Sequence, residues 1–115
     1  MAVGTLKSFM TSGIPAYITT SLANVYTPPA STMALEWTYL HLVNVTATSC
    51  WFSLYVGATG AGAGGTELFK FYPIAGYGTF DWFPDRRMDS TNFLVAIAQT
   101  TTSLTIDVGG YQFVV

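Results

Sequence analysis

Alternation of large and small or polar side chains with a period of two dominates this chain. Met33, Leu35, Trp37, Tyr39, His41, Val43 and Val45 alternate with Ala34, Glu36, Thr38, Leu40, Leu42 and Asn44. The first set is wholly large, and the second starts polar and turns apolar. That pattern predicts a long strand that enters the middle of the structure. Thr46 to Ser49 reads as a turn, and Cys50 to Val56 as the partner strand.

Further strands are expected over Thr66 to Tyr72, Thr79 to Phe83, Asn92 to Gln99, Leu104 to Val108 and Tyr111 to Val115. Upstream, Ala16 to Thr27 reads as one strand stopped by Pro28 and Pro29. Gly57 to Gly65 is a flexible connection, Pro73 to Gly78 a turn, and Gly109-Gly110 a bulge or bend. Pro84 to Thr91 carries much of the charge and reads as a solvated loop or a single helical turn. Residues 1–14 have weak periodicity and form an edge strand or an extended N-terminal arm. No amphipathic helix is expected. The fold class is all-β: one antiparallel β-sandwich over residues 15–115, jelly-roll-like, with seven to eight strands.

Charge changes the picture. Charged residues make up 9% of the 115 residues, against about 25% in an ordinary soluble domain. None lies between Lys7 and Glu36, or between Glu36 and Glu67. A surface this poor in charge belongs either in a membrane or against other protein. The uncharged window from Tyr39 to Ala58 is long enough for a spanning helix, about 20 residues. However, it contains His41, Asn44, Thr46, Thr48, Ser49 and Ser53, lacks flanking Lys or Arg, and favours strand. Several expected strands are too short for a transmembrane barrel. Cover by protein is the better reading. Four Lys and Arg in all cannot build the basic patch that nucleic acid requires. The N-terminal MAVGTLKSFMTSG has no apolar core of a secretory signal.

Candidate chemistry is thin. The glycine run lacks the Gly-Lys-Ser/Thr and the following helix of a phosphate loop. Asp81, Asp85 and Asp89, with Glu67, are the one carboxylate cluster; Arg86 and Arg87 lie among them and pair with them more simply than a cation would. His41 and Cys50 each stand alone in type, so neither a metal set nor a catalytic triad can be assembled. His41 reads as a packed, hydrogen-bonded side chain and Cys50 as a small buried hydrophobe. Asn44-Val45-Thr46 matches a glycosylation sequon by chance. No catalytic residue, cofactor or metal ligand is expected.

The aromatic residues carry more. Trp51 and Tyr55 lie opposite Phe52 and Leu54 in the alternation, and Phe83 lies opposite Trp82. Two layers of this size cannot bury both faces of every strand, so some of these rings face outward. Phe9, Met10, Trp51, Tyr55 and Phe83 are the expected interface residues.

The segments VYTPPAST, LHLVNVTATSCWFSLYVGATG, ELFKFYPIAGYGTFDWF and RMDSTNFLVAIAQTTTSLTIDVGG, between Val25 and Gly110, resemble small β-sandwich virion structural proteins of tailed bacteriophages. The resemblance rests on patterned β-sequence, not on catalytic signatures. It implies a non-enzymatic capsid decoration (cement) protein on the capsid exterior. The implied partners are its own copies, with a trimer favoured, and the major capsid protein or another virion protein. An N-terminal arm that clasps neighbours would suit residues 1–14. A tail, collar or baseplate component is the alternative within the same class. A host-surface carbohydrate-binding sandwich, stacking sugars on Trp51, Tyr55 or Trp82, is the alternative from another class.

Overall fold

The long alternating segment becomes the strand around which the first sheet is laid. A computed structural model of the chain describes residues 6–9, 16–26, 32–57, 64–84, 86–89 and 93–114. The strands are β1 (Leu6–Phe9), β2 (Ala16–Tyr17), β3 (Ala23–Tyr26), β4 (Thr32–Asn44), β5 (Cys50–Gly57), β6 (Glu67–Ile74), β7 (Thr79–Trp82), β8 (Arg86–Asp89), β9 (Phe93–Ala98) and β10 (Leu104–Val114). One sheet has the order β1-β10-β4-β7, with β2 also on β10 and β8 also on β4. The other has the order β3-β9-β5-β6. Every pairing is antiparallel.

The pairing is nested. β5 pairs with β6; β4 with β7 and β8; β3 with β9; β1 and β2 with β10. Each of these pairs encloses the one before it, and the β4–β10 and β5–β9 pairings complete the two sheets. The antiparallel sandwich expected from the alternation is therefore present, with ten strands among the described residues where seven or eight were expected. The principal extents are 53 × 27 × 20 Å, and the shortest fits two sheets about 10 Å apart with side chains on both sides.

Two of the extra strands come from segments that read differently in the sequence. The expected single strand from Ala16 to Thr27 is divided between the sheets. Ile18 N–H donates to Leu104 O at 2.8 Å, and Ala98 N–H donates to Thr19 O at 2.9 Å, so the crossing falls just after Ile18. The charged segment after Pro84 contains β8 where a loop or helical turn was expected. β7 covers β4 over Leu40–Val43, and β8 takes the same edge over Ala34–Trp37. Backbone groups along a buried strand need partners, and that demand outweighs the weak strand propensity of Arg86–Asp89.

On β4 the core side is settled by the structure: the second set supplies most of it. Leu40, Leu42 and Asn44 point inward and are buried. Their rows across the sheet are Val108–Leu40–Trp82 and Ile106–Leu42–Phe80. Tyr39, His41 and Val43 point outward. Trp37 nevertheless faces the core, because the register shifts between Gly109 and Gly110: Tyr39 faces Gly109 and Trp37 faces Gly110. Thr38 is the extra residue, and its Oγ1 donates to Gly109 O at 3.2 Å. The irregularity expected at Gly109-Gly110 is there, and Gly109 is required, since a Cβ would overlap the Tyr39 ring.

Aromatic rings close one side of the sandwich. β6 and β7 are the edge strands of different sheets. Phe69 meets Trp82 at 4.9 Å and Phe80 at 5.2 Å, and Tyr72 meets Phe80 at 4.7 Å between centroids. Phe52 reaches Phe80 from β5 at 5.6 Å. Such pairs contribute about 0.5–1.5 kcal/mol each beyond the area they bury.

Asn44 fastens the adjoining corner. It is fully buried. Its Nδ2 donates to Thr48 O at 2.8 Å and to Ile74 O at 3.1 Å. Its Oδ1 accepts from Thr46 N–H at 3.0 Å and Thr46 Oγ1 at 2.8 Å. The sequon asparagine is thus a structural link between β4, the following turn and β6, with both amide protons engaged. Asn44→Ala strands these buried partners, and each unmet group costs about 1–3 kcal/mol. We expect a loss of about 3 kcal/mol, read as a fall of about 10 °C in Tm by circular dichroism.

Candidate functional site

The two outward faces of the sandwich carry the side chains that packing does not explain. Alternation along β4, β7 and β10 delivers one face. The register aligns Asp107, His41 and Asp81 in one row across it. His41 Nδ1 pairs with Asp81 Oδ1, and both side chains are partly exposed. Tyr39 Oη donates to Asp107 Oδ2 at 3.3 Å. Burial pushes the Tyr39 phenol above its ordinary value, and the Asp107 charge and hydrogen bond push it further the same way. Phe83 follows Trp82 beyond the end of β7 and is 75% exposed.

His41 is therefore hydrogen-bonded as expected, but it stands on the outer face instead of packing in the core. Asp81 has His41 as a partner, and the expected pairing of the acids with Arg86 and Arg87 falls on side chains outside the described residues. Asp85 lies outside the described residues, as do the side chains of Asp89, Arg86 and Arg87. Among the described residues no three His, Cys, Asp or Glu side chains are grouped to hold a metal ion. Cys50 is buried, with its Sγ 3.4 Å from Thr100 Oγ1.

The other face belongs to β5, β6 and β9. Trp51 is half-buried there and meets Phe71 edge-on at 4.7 Å. Phe71 has a backbone φ of 51°. Phe52 faces Tyr72 and Leu54 faces Phe69, so Lys70 and Phe71 together occupy the span opposite Ser53. Phe71 N–H donates to Ser53 Oγ at 3.0 Å. This irregularity lets both Phe69 and Tyr72 turn into the aromatic seam, and it throws Phe71 outward to 57% exposure. Lys70 Nζ stands 5.6 Å from the Phe71 ring centroid.

Among the expected interface residues whose side chains are described, Phe83 is the most exposed, and Trp51 shares its face with Phe71. Tyr55 is a correction: it is 7% exposed. It sits mid-sheet between Val95 of β9 and Glu67 of β6, with buried Ser53 and Val95 beside it. Alternation places it on the outer face, but a ring flanked on both sides by neighbouring strands is covered by them. Trp82, an expected sugar platform, is packed against Phe69 in the seam. For Phe9 the backbone is described, paired with Tyr111, but not the side chain; Met10 lies outside the described residues. Leu6–Phe9 is an edge strand on β10.

Phe71, Tyr77 and Lys70 were not singled out by sequence. Period two puts Phe71 beside Phe69, and only the irregularity in β6 separates them. Tyr77, 72% exposed with φ 56°, stands at a turn whose N–H donates to Thr46 O at 2.8 Å.

The Tyr39–Asp107 contact has a measurable consequence. A raised phenol means that the folded state holds its proton where the unfolded chain has released it. Stability is then fully present below the unfolded value of 10.0 and is lost as pH rises through the folded one. Asp107→Asn should move the Tyr39 titration back toward 10.0, though not fully, because burial is the larger cause. Ultraviolet titration of tyrosinate and alkaline melting curves check both halves.

No family model, curated protein or solved structure matches the chain.

Proposed function

We propose that this chain is a non-enzymatic phage virion structural protein, a capsid decoration protein that works as an oligomer on the head exterior. The observation that carries the reading is the surface. Four basic and six acidic residues share 6133 Å², while Phe83, Tyr77 and Phe71 stand in solvent at 75%, 72% and 57% exposure. Large exposed rings on a charge-poor surface mark sites of contact with other protein. The patterned β-segments that resemble phage virion proteins support the same class.

We read the nested pairing as a jelly roll, the two-sheet arrangement that recurs in capsid and lectin domains. That is analogy of fold and adds less than the surface does. As a decoration protein the chain would bury apolar area across junctions between capsid subunits. Burial of about 1,000 Å² contributes roughly 25 kcal/mol before association costs are subtracted. A tail, collar or baseplate position uses the same physics at lower copy number. Hundreds of copies per particle favour the capsid, and a handful favours the tail.

Association and stability should separate by residue. Phe83→Ser is expected to weaken self-association about tenfold in sedimentation velocity with an unchanged melting curve. Tyr55→Ser is expected to do the reverse, lowering stability by about 3 kcal/mol as buried aromatic truncations do. A chain that stays monomeric at high concentration and does not bind empty particles sinks the proposal. Specific binding on a glycan array, abolished by Trp51→Ala, would replace it with the carbohydrate reading.

A further inference from the structure

We propose that the chain docks end-on: the four connections at one end of the sandwich, residues 18–22, 45–49, 75–78 and 99–103, seat on an uncharged protein surface of the particle shell. The inference rests on the reading of a decoration protein, and it names the surface by which that protein is held.

Register alone brings those connections to one end. Asn44 pairs with Leu104, Val43 with Thr79, Cys50 with Ile74, Phe52 with Ala98, and Thr105 with Tyr17. The stretches 16–23, 43–52, 72–80 and 97–106 contain no Asp, Glu, Lys, Arg or His. Among the described residues, charge begins farther along the strands. Asp81 and Asp107 stand opposite His41, three residues inside the end of β4. Glu36, Arg86, Arg87 and Asp89 occupy the rungs from Ala34 to Trp37. Trp37 is seven residues from Asn44, about 23 Å at the rise of a strand and beyond the reach of any side chain. Lys7 pairs with Phe113 at the far end of β10.

The charge-free end is also well fastened. Val45 N–H donates to Ser103 O at 2.9 Å, Tyr77 N–H to Thr46 O at 2.8 Å, and Ala98 N–H to Thr19 O at 2.9 Å. Thr100 Oγ1 and Ser103 Oγ lie 2.6 Å apart. A pre-organised surface loses little freedom on binding. This one presents Leu22, Val45 and Tyr77, all exposed, among Thr and Ser side chains whose hydroxyls both donate and accept. It has no charged side chain to pair with one on a partner, and a buried charge without a counter-charge is costly. The surface that fits it is therefore uncharged. Size decides against a second copy as the occupant. The thirteen residues of β4 run about 43 Å, so the 53 Å extent lies along the strands. The end is then 27 by 20 Å, a cross-section of about 540 Å², short of the roughly 800 Å² per partner of a stable pair. One end alone holds weakly. Several ends of one oligomer, engaged together on a repeating shell, hold by avidity.

The test is co-sedimentation of the full chain with phage heads prepared without it, using wild type, Val45→Lys, Tyr77→Asp and, toward the far end, Glu36→Gln. Val45 and Tyr77 have exposed side chains, and Asp tolerates the positive φ at position 77. Melting curves verify that each variant folds, and Thr101→Lys, on another connection, replaces one that does not. Wild type and Glu36→Gln should bind alike. Both end variants should bind about tenfold more weakly or worse, with self-association in sedimentation velocity unchanged. The two introduced charges have opposite signs, so loss from both marks an uncharged partner surface. End variants that bind as wild type does, a gain from either sign, or an equal loss in Glu36→Gln overturns the end-on assignment and leaves the decoration reading standing. A wild-type chain that does not bind heads removes both readings together.

Discussion

The β4–β10 ladder determines which side chains this protein shows to its surroundings. It runs from Asn44–Leu104 at one end to Thr32–Val114 at the other, and it forms the centre of the first sheet. β1 and β2 attach to one side of it, and β7 and β8 to the other. Its register decides that Leu40 and Leu42 go inward with Ile106 and Val108, and that His41 goes outward beside Asp107. A slip of one residue would exchange the two sets. With β4 slipped, His41 would turn into the apolar interior and leave Asp81 and Asp107 behind, and a buried polar group without its partner is costly. The polar row is therefore both a product of the register and a reason why the alternative register is excluded.

The ladder sets one sheet, and the β6–β7 side ties it to the other. Consecutive strands that belong to different sheets must turn a corner, and here the corner is held in two ways. The rings of Phe52, Phe69, Tyr72, Phe80 and Trp82 fill the seam between the layers. Asn44 bonds the end of β4 to the Ile74 carbonyl at the end of β6. The ring contacts are individually modest, and the burial of the rings supplies most of their worth. Asn44 acts differently. A net hydrogen bond is worth about 1 kcal/mol, but buried partners left unmet cost more than the bond gains. Gly76 belongs to the same corner, since a Cβ there would overlap the Ala47 carbonyl.

Strand positions were legible in the sequence; the faces of those strands were less so. β4, β5, β6, β9 and β10 all fall where period two places them, because alternation survives even when both sides are apolar. For the same reason alternation could not say which side of β4 is the core. Leu40 and Leu42 are as hydrophobic as Tyr39 and Val43, and the choice is made by partners distant in sequence. Gly109-Gly110 was readable as an irregularity, since paired glycines in a strand have few other uses. The irregularity at Phe71 was not, because phenylalanine gives no sign of a positive φ. Tyr55 shows the limit of a two-face argument: the outer side of a central strand can be covered by its neighbours. β8 arises from the unmet hydrogen bonds of β4, a demand that no local window of sequence contains.

Edges and faces offer different routes to self-association, and this chain treats them differently. An open strand edge invites sheet extension. On β6, Pro73 has no N–H to give, and the irregularity at Lys70–Phe71 breaks the regular ladder. Both features oppose strand addition at that edge, while the faces are left rich in rings and poor in charge. An apolar face lowers the cost of desolvation but specifies neither orientation nor partner, whereas each ion pair taken out of water is expensive. A few charges on an otherwise uncharged face can set register and polarity at small desolvation cost. Among the described side chains Lys70 stands on one face and Asp81 and Asp107 on the other, so each face sets a few charges among rings and leaves most of its area cheap to desolvate.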